Sequence, residues 1–206
     1  MENQDLSASS LIQAMITRRS LRRYEKRTVA RHILETIIQA ATWAPSAHNR
    51  QPWRFAVIET DAEKVKLALA MGKRLRHDLE ADNVPEAVIE KDVNRSYDRI
   101  TSAPVLILLC LSMEDMDTYP DEKRSHNEYI MAVQSTAMAG QNLLLAAHEA
   151  GLGACWMCAP LFCPDVVQSS LCIPDDWQPQ GLITLGYPAQ SREKTRKPLT
   201  DVILWK

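Results

Sequence analysis

The spacing of apolar residues predicts two helices near the start of the chain. Residues 11–16 place leucine, isoleucine and methionine at helical spacing, which indicates a first helix. A second apolar face follows a cap near Thr28 and ends before Pro45, a residue that stops a helix because its ring clashes and its backbone has no N–H. A basic stretch, Arg-Arg-Ser-Leu-Arg-Arg-Tyr, separates the two helices.

Short runs rich in apolar residues predict the strands. The first run is 53–58, and the second, 105–111, is aliphatic apart from one cysteine. Such a run is expected of a central strand that is covered on both faces. Two further strand candidates lie at 154–157 and 182–185.

The remaining apolar patterns are helical and fix the order of the elements. Residues 72–98 are rich in charge and predict two helices that separate near Pro85, whereas the acidic segment 113–122 predicts a surface loop. Residues 128–150 are apolar almost all round, which is typical of a helix buried in a core or a subunit interface. This order predicts an α+β fold, a mixed sheet flanked by helices, in one domain that spans 1–206.

Composition and charge exclude several classes of protein. Lysine and arginine number 24 and aspartate and glutamate 26, so the formal net charge is −2, unlike the strongly basic surface of a nucleic-acid coat protein. The longest apolar run, 103–111, has about half the length that a bilayer crossing needs. The first ten residues lack the basic and apolar regions of a signal peptide, and the odd number of five cysteines favours free thiols. We therefore expect a soluble, cytoplasmic protein without nucleic-acid or membrane partners.

Two basic segments are candidates for binding a phosphate. Arg18, Arg19, Ser20 and Arg22 place three guanidinium groups and a hydroxyl within five residues, a set that suits paired, charge-assisted hydrogen bonds to phosphate. The bland alternative is a solvated basic turn. The segment 194–197 is also basic, and beside the first cluster it would close the other side of the same phosphate.

A proline-bracketed loop at 44–53 is a second candidate. Its prolines stiffen the backbone, while Ser46, His48, Asn49 and Gln51 offer donors and acceptors. Such a loop suits the edge of a planar heterocycle. Equally, the same polar side chains could cap neighbouring helices in an ordinary turn.

The cysteines raise the question of a metal site. Cys155, Cys158, Cys163 and Cys172 match neither zinc-ribbon nor ferredoxin spacing, and apolar residues separate the first pair. We therefore expect buried thiols and no metal. The chain also lacks both glycine-rich nucleotide motifs, and no spacing indicates a catalytic triad or a pair of catalytic carboxylates.

Four segments taken in order resemble the FMN-dependent nitroreductase family. They are Arg-Arg-Ser-x-Arg-Arg-Tyr, Ala-Pro-Ser-x-x-Asn-x-Gln-Pro-Trp-x-Phe, Gly-Leu-Gly-x-Cys-Trp, and Leu-Gly-Tyr-Pro followed by Lys-x-Arg-x-Pro-Leu. The ordered set covers nearly the whole chain. The second segment is also similar to the FMN-binding reductase domain that is fused to deazaflavin glutamyl ligases.

The resemblance implies an interwoven α+β homodimer with two FMN sites at the subunit interface. The residues that it assigns to cofactor binding are Arg18, Arg19, Ser20 and Arg22 with Lys194 and Arg196 around the phosphate and pyrimidine side, Pro45, Ser46, Ala47 and Asn49 in a loop lent across the interface, and Trp156, Met157, Cys158 and Ala159 behind the flavin ring. Many members have Glu-Gly where this chain has Cys158-Ala159. Arg95 lies near another expected polar contact, but no motif fixes that match.

The resemblance also implies the chemistry, in which NAD(P)H reduces the flavin and the flavin reduces a small planar acceptor such as a nitroaromatic or a quinone. The flavin would carry the reaction, so no side chain is expected to be catalytic. Reduction of a deazaflavin intermediate, oxygen-dependent breakdown of reduced FMN, and non-catalytic flavin binding stay open. Neither the acceptor nor a preference for NADH or NADPH is encoded in these motifs.

Overall fold

The structure, a computed structural model, describes residues 10–206. The expectation about a signal peptide falls largely on residues 1–9, which lie outside the described residues. Within 10–206 the helices are α1 (Ser10–Thr17), α2 (Arg31–Thr42), α3 (Asp61–Ala81), α4 (Glu86–Thr101), α5 (Glu122–Glu149) and α6 (Pro164–Leu171), and the strands are β1 (Trp53–Ile58), β2 (Val105–Leu111), β3 (Gly153–Met157) and β4 (Gln178–Gly186). No helix in this part of the chain is both long and apolar enough to span a bilayer.

The four strands form one antiparallel sheet in the order β1-β2-β4-β3. The α+β class is confirmed, but the expected mixed pairing is limited to an isolated parallel bridge between Ser20 and Ala154. The reason lies in the connections. Two helices join β1 to β2, so the chain re-enters the sheet in the opposite direction, and β4 separates β2 from β3, which point the same way.

Strand β2 is buried along its whole length because helices cover both faces of the sheet. Val105 and Ile107 pack with residues of α2 and α5 in one core cluster. Leu106 and Leu108 point to the other face and pack with α3, α6 and the end of α4. This alternation explains why β2 is continuously apolar in sequence and confirms its predicted central position.

Two helices begin where the apolar pattern did not predict. Helix α2 begins at Arg31 and not near Thr28, because the chain stays extended through Ala30. Helix α5 begins at Glu122, six residues before the predicted 128, because the Asp121 carboxylate caps it by accepting a hydrogen bond from the Arg124 N–H at 2.9 Å. The first turns of α5 are polar and exposed, so hydrophobic periodicity could not reveal them.

Two glycines keep open a slot that the Trp156 indole fills, between α5 and β4. A Cβ atom built on Gly140 would lie 2.0 Å from the indole Cζ3, and one built on Gly181 would lie 2.5 Å from Cε2. Both distances are far below van der Waals contact. The indole therefore packs on the α5 side of the sheet, against Leu109 and Ala139, and anchors the end of β3 there.

We expect Gly140→Ala to destabilise the protein by about 1–3 kcal/mol, the usual range for overpacking, because the added methyl group must displace the indole. The free energy of unfolding from urea titration measures the effect. Gly72→Ala on α3 is the matched control, since its Cβ would meet Val93 at an ordinary 3.5 Å. That control should gain about 0.5–1 kcal/mol from helix propensity. Equal stability changes in the two variants would contradict the slot.

Candidate functional site

Three cavities share Arg22 in their walls and lie where the segment after α1 meets β3, α4 and the chain after β4. The clamp cavity, about 300 Å³, is lined by Arg18, Arg19, Ser20, Arg22, Arg192, Lys194 and Arg196. The strand cavity, about 400 Å³, is bounded by residues of α3 and α4 and by Trp156, Met157, Cys158 and Ala159. The α4 cavity, about 540 Å³, lies between Arg22–Arg23, α4 and Gln190–Arg192.

Backbone hydrogen bonds bring the two basic segments together. The Leu21 N–H donates to the Ala154 carbonyl of β3 at 3.1 Å, and the Ala189 N–H donates to the Arg23 carbonyl at 3.0 Å. The Tyr24 hydroxyl donates to the Leu21 carbonyl at 2.6 Å and also lies 2.7 Å from the Thr184 hydroxyl of β4. The segment after α1 therefore runs along β3 on one side and along the segment after β4 on the other.

The clamp cavity concentrates positive charge. Burial, and then the guanidinium groups of Arg196 and Arg19, lower the pKa of Arg18. Across the shared wall, burial and then Arg22 and Arg95 lower the pKa of Arg99. A lowered arginine pKa shows that the folded chain disfavours the cationic form at these positions, and a bound anion would reverse that effect.

Arg19 differs from the other cations of the clamp cavity. Its Nη1 donates to the Ile16 carbonyl at 2.6 Å and to the Arg18 carbonyl at 2.9 Å, so it closes the C-terminal end of α1. Its Nε is buried and has no partner among the described residues. The structure thus gives Arg19 a helix-capping contact in addition to its place in the cavity wall.

The strand cavity brings Arg22 beside the stretch that follows the Trp156 slot. Although the indole packs on the α5 side, Trp156 and the three residues after it, Met157, Cys158 and Ala159, line this cavity. Cys158 is exposed and follows Met157, the last residue of β3 that pairs with β4. Arg95 and Arg99 of α4 form part of the same wall.

The proline-bracketed loop lies elsewhere on the chain, against α5. The Ala47 N–H donates to the Ser135 hydroxyl at 3.2 Å, and the Ser46 hydroxyl accepts from the Gln51 N–H at 3.0 Å. His48 and Asn49 adopt left-handed backbone angles, with φ of 50° and 55°. None of Pro45, Ser46, Ala47 and Asn49 lines the three cavities formed by the described residues.

The acidic loop before α5 holds the proline-bracketed loop in place. Arg50 pairs with Asp117, and Arg54 pairs with Asp115 at 3.1 Å. The Asp117 N–H donates to a carboxylate oxygen of Glu128, a residue of α5 that is almost fully buried, at 3.2 Å. The loop is therefore a surface loop, as predicted, with a structural role that its composition did not reveal.

Several cations of the cavities lie outside the sequence motifs. Arg95 was noted near an expected polar contact, but Lys91 and Arg99 were not predicted. All three are spaced four residues apart on α4 and so share one helix face, a signal that is present in the sequence. Arg192 lines both the clamp and the α4 cavities. It lies in a segment without periodicity, where only the fold could place it.

Two cysteines lie beside this cationic surface: Cys158, which lines the strand cavity, and Cys155. Burial raises the pKa of the Cys155 thiol, and Arg22 and Arg99 oppose that shift. All five cysteines are free thiols, and burial raises the pKa of Cys110 to about 12. Within residues 10–206, no group of three or more His, Cys, Asp or Glu side chains is arranged to hold a metal ion.

Comparison with known proteins gives one family. The model described as the nitroreductase family matches residues 15–187. A protein of Methanothermobacter thermautotrophicus with the provisional name NADH dehydrogenase/NAD(P)H nitroreductase is 32% identical over 190 residues, which cover 90% of this chain and 81% of that protein. The NADH dehydrogenase of Thermus thermophilus is 29% identical over 218 residues, which cover 94% of each chain.

A solved structure supports the same relationship. The crystal structure of a provisionally named nitroreductase from Desulfovibrio desulfuricans, in complex with FMN, superposes with a TM-score of 0.75 at 28% sequence identity. The match covers 96% of this chain and 97% of that chain. The likeness therefore extends over nearly the whole described fold.

Proposed function

Because the chain belongs to the nitroreductase family, we propose that it is a cytoplasmic, homodimeric oxidoreductase that binds FMN and passes electrons from NAD(P)H to a small planar acceptor such as a nitroaromatic compound or a quinone. The observation that carries this proposal is the clamp cavity, where cations from both ends of the chain meet beside the strand cavity. The FMN complex of the Desulfovibrio desulfuricans relative supports the same cofactor.

The residues of the clamp cavity fit a phosphate group. The arginine and lysine side chains supply hydrogen-bond donors, and the Ser20 hydroxyl can also donate. No carboxylate of residues 10–206 lines this cavity. Burial, and then the charges of Arg196 and Arg19, lower the pKa of Arg18, and a bound anion would oppose both effects. A phosphate, which carries about −1.5 to −2 charges, would stabilise all of these cations at once.

The strand cavity fits a flat ring beside that phosphate. When bound, FMN would supply hydride acceptance and electron transfer, so the protein needs no side-chain nucleophile. Arg22 and Arg99 would place positive charge at one edge of the ring and stabilise negative charge there. The backbone from Trp156 to Ala159 would lie against the ring, and the glycine-lined slot holds that backbone in position.

The position of the proline-bracketed loop favours a dimer. The family resemblance assigns Pro45, Ser46, Ala47 and Asn49 to the flavin, yet in one chain they lie on α5, away from the clamp and strand cavities. A second chain would bring this loop to the ring. Each site would then combine residues of two subunits.

Exposed apolar side chains also favour a dimer. Near the C-terminus, Leu199, Leu204 and Trp205 are 67%, 77% and 82% exposed, and Phe162 is 75% exposed. Side chains of this size contribute most when they are buried, at roughly 25 cal/mol per Å² of apolar area. A second subunit would cover this tail.

The purified protein should be yellow, and NADPH or NADH should bleach it under anaerobic conditions. Adding a nitroaromatic compound or a quinone should then restore the flavin absorbance near 450 nm. Stopped-flow absorbance measures both half-reactions. A yellow protein that neither nicotinamide bleaches would contradict the proposal and favour a flavin-binding protein without activity.

Arg18→Ala and Arg196→Ala should each weaken FMN binding about ten- to a hundredfold, because each removes a charge-assisted hydrogen bond to the phosphate. The affinity of the same variants for riboflavin, which lacks the phosphate, should fall much less. Fluorescence titration with both flavins measures the difference. Arg31→Ala is the control, since this exposed arginine pairs with Glu35 and Glu59 outside the cavities. Equal losses for the two flavins would show that Arg18 and Arg196 support the fold instead.

The double variant Leu204→Ala, Trp205→Ala should weaken dimerisation and, with it, FMN retention, because the apolar tail would bury less area against the second subunit. Analytical ultracentrifugation at micromolar concentration and the flavin-to-protein absorbance ratio measure the two effects. Leu69→Ala, Val88→Ala is the control, since these exposed side chains lie on α3 and α4. A wild-type monomer with one tightly bound FMN would refute the dimeric site.

A further inference from the structure

The α4 cavity is larger than the clamp cavity and adjoins it through Arg22 and Arg192. It also shares Arg95 and Arg99 with the strand cavity. A ligand bound in the strand cavity could therefore extend into the α4 cavity. It would leave the clamp cavity free for the FMN phosphate. The α4 cavity is thus a separate compartment next to the proposed reaction site.

The walls of the α4 cavity are strongly cationic. Arg22, Arg23 and Arg192 face α4 from one side, and Lys91, Arg95 and Arg99 form the helix side. Asp98 is the one carboxylate that lines the cavity in the part of the chain that the structure describes. Arg95 pairs with Asp92 at 2.7 Å, whereas no carboxylate within residues 10–206 pairs with the other five cations.

A neutral donor in the same wall also lacks a partner. The amide nitrogen of Gln190 is buried and, within residues 10–206, makes no hydrogen bond. A buried donor without an acceptor is unfavourable, so it points to an acceptor that a ligand would supply. Ser102 and Asn94 add further polar groups to this wall.

The positive charge of the three cavities together exceeds what one FMN phosphate would balance. Among the described residues, ten lysine and arginine side chains line the three cavities, against the two carboxylates Asp92 and Asp98. A phosphate monoester carries about −1.5 to −2 charges, so most of this excess would persist with FMN in place. The chain as a whole has a net charge of −2, so the excess is local to this surface.

We propose that the α4 cavity binds phosphate groups of the nicotinamide dinucleotide, at a site distinct from the one for the FMN phosphate. The inference rests on the proposed function, because it requires the dinucleotide to donate its hydride at the strand cavity. Guanidinium groups bind phosphate oxygens in pairs, and the Gln190 amide donates to a third oxygen. The 2′-phosphate of NADPH adds negative charge, so the cavity favours NADPH over NADH.

The test compares the FMN-loaded wild type with the double variant Lys91→Met, Arg23→Met. Both substitutions lie at exposed positions and keep most of the side-chain length. Calorimetry with 2′-phospho-ADP-ribose, which has no nicotinamide, measures phosphate binding directly. The double variant should bind this probe about tenfold or more weakly, because two charge-assisted contacts are lost. Lys66→Met, an exposed lysine of α3 outside the cavity, should change nothing.

A kinetic comparison separates this inference from the proposed function. The double variant should raise the KM for NADPH about tenfold and leave the KM for dihydronicotinamide riboside, which has no phosphate, unchanged. Suppose that the riboside bleaches the flavin, but that 2′-phospho-ADP-ribose either does not bind or binds the double variant as tightly as the wild type. The α4 cavity is then not a phosphate site, and the proposed function stands. If neither NADPH nor the riboside bleaches the flavin, the proposed function fails and this inference fails with it.

Discussion

Repulsion among cations around Arg22 is the constraint on which the rest of the site depends. The fold holds guanidinium groups close together, and burial, followed by the charges of neighbouring arginines, lowers the pKa of Arg18 and of Arg99. Backbone hydrogen bonds to β3 and to the segment after β4 resist this repulsion. The site is therefore organised before any ligand arrives, and an anion would find donors that are already in place.

The sheet gives this charged surface a rigid support. Strand β2 is buried on both faces, and β4 beside it carries the glycine that admits the Trp156 indole. The indole is packed on the far side, and the residues that follow it, Met157, Cys158 and Ala159, line the strand cavity. Apolar packing on one face of the sheet thus fixes polar groups on the other.

The sequence predicts the fold and the site to different depths. A continuous aliphatic run identified β2 as a central strand, and the ordered motifs singled out Arg18, Ser20, Lys194 and Arg196, which the fold brings to one cavity. Local patterns could not show that Asp121 caps six extra residues of α5, because a cap depends on backbone geometry. Nor could they place Arg192, whose neighbours in space are set by long-range pairing. The sequence motif identified the proline-bracketed loop, but within one chain this loop lies apart from the arginines of the clamp and strand cavities.

The convergence of both chain ends on the clamp cavity has a consequence for biosynthesis. Ser20 and Arg22 leave the ribosome early, whereas Lys194 and Arg196 follow almost the entire fold. Since domains fold as units once their distant partners are available, a nascent chain offers only half of the cation set. Closure of the clamp cavity is then a post-translational event. A chain truncated by premature termination would keep its sheet residues yet lack the cations that line the far side of that cavity.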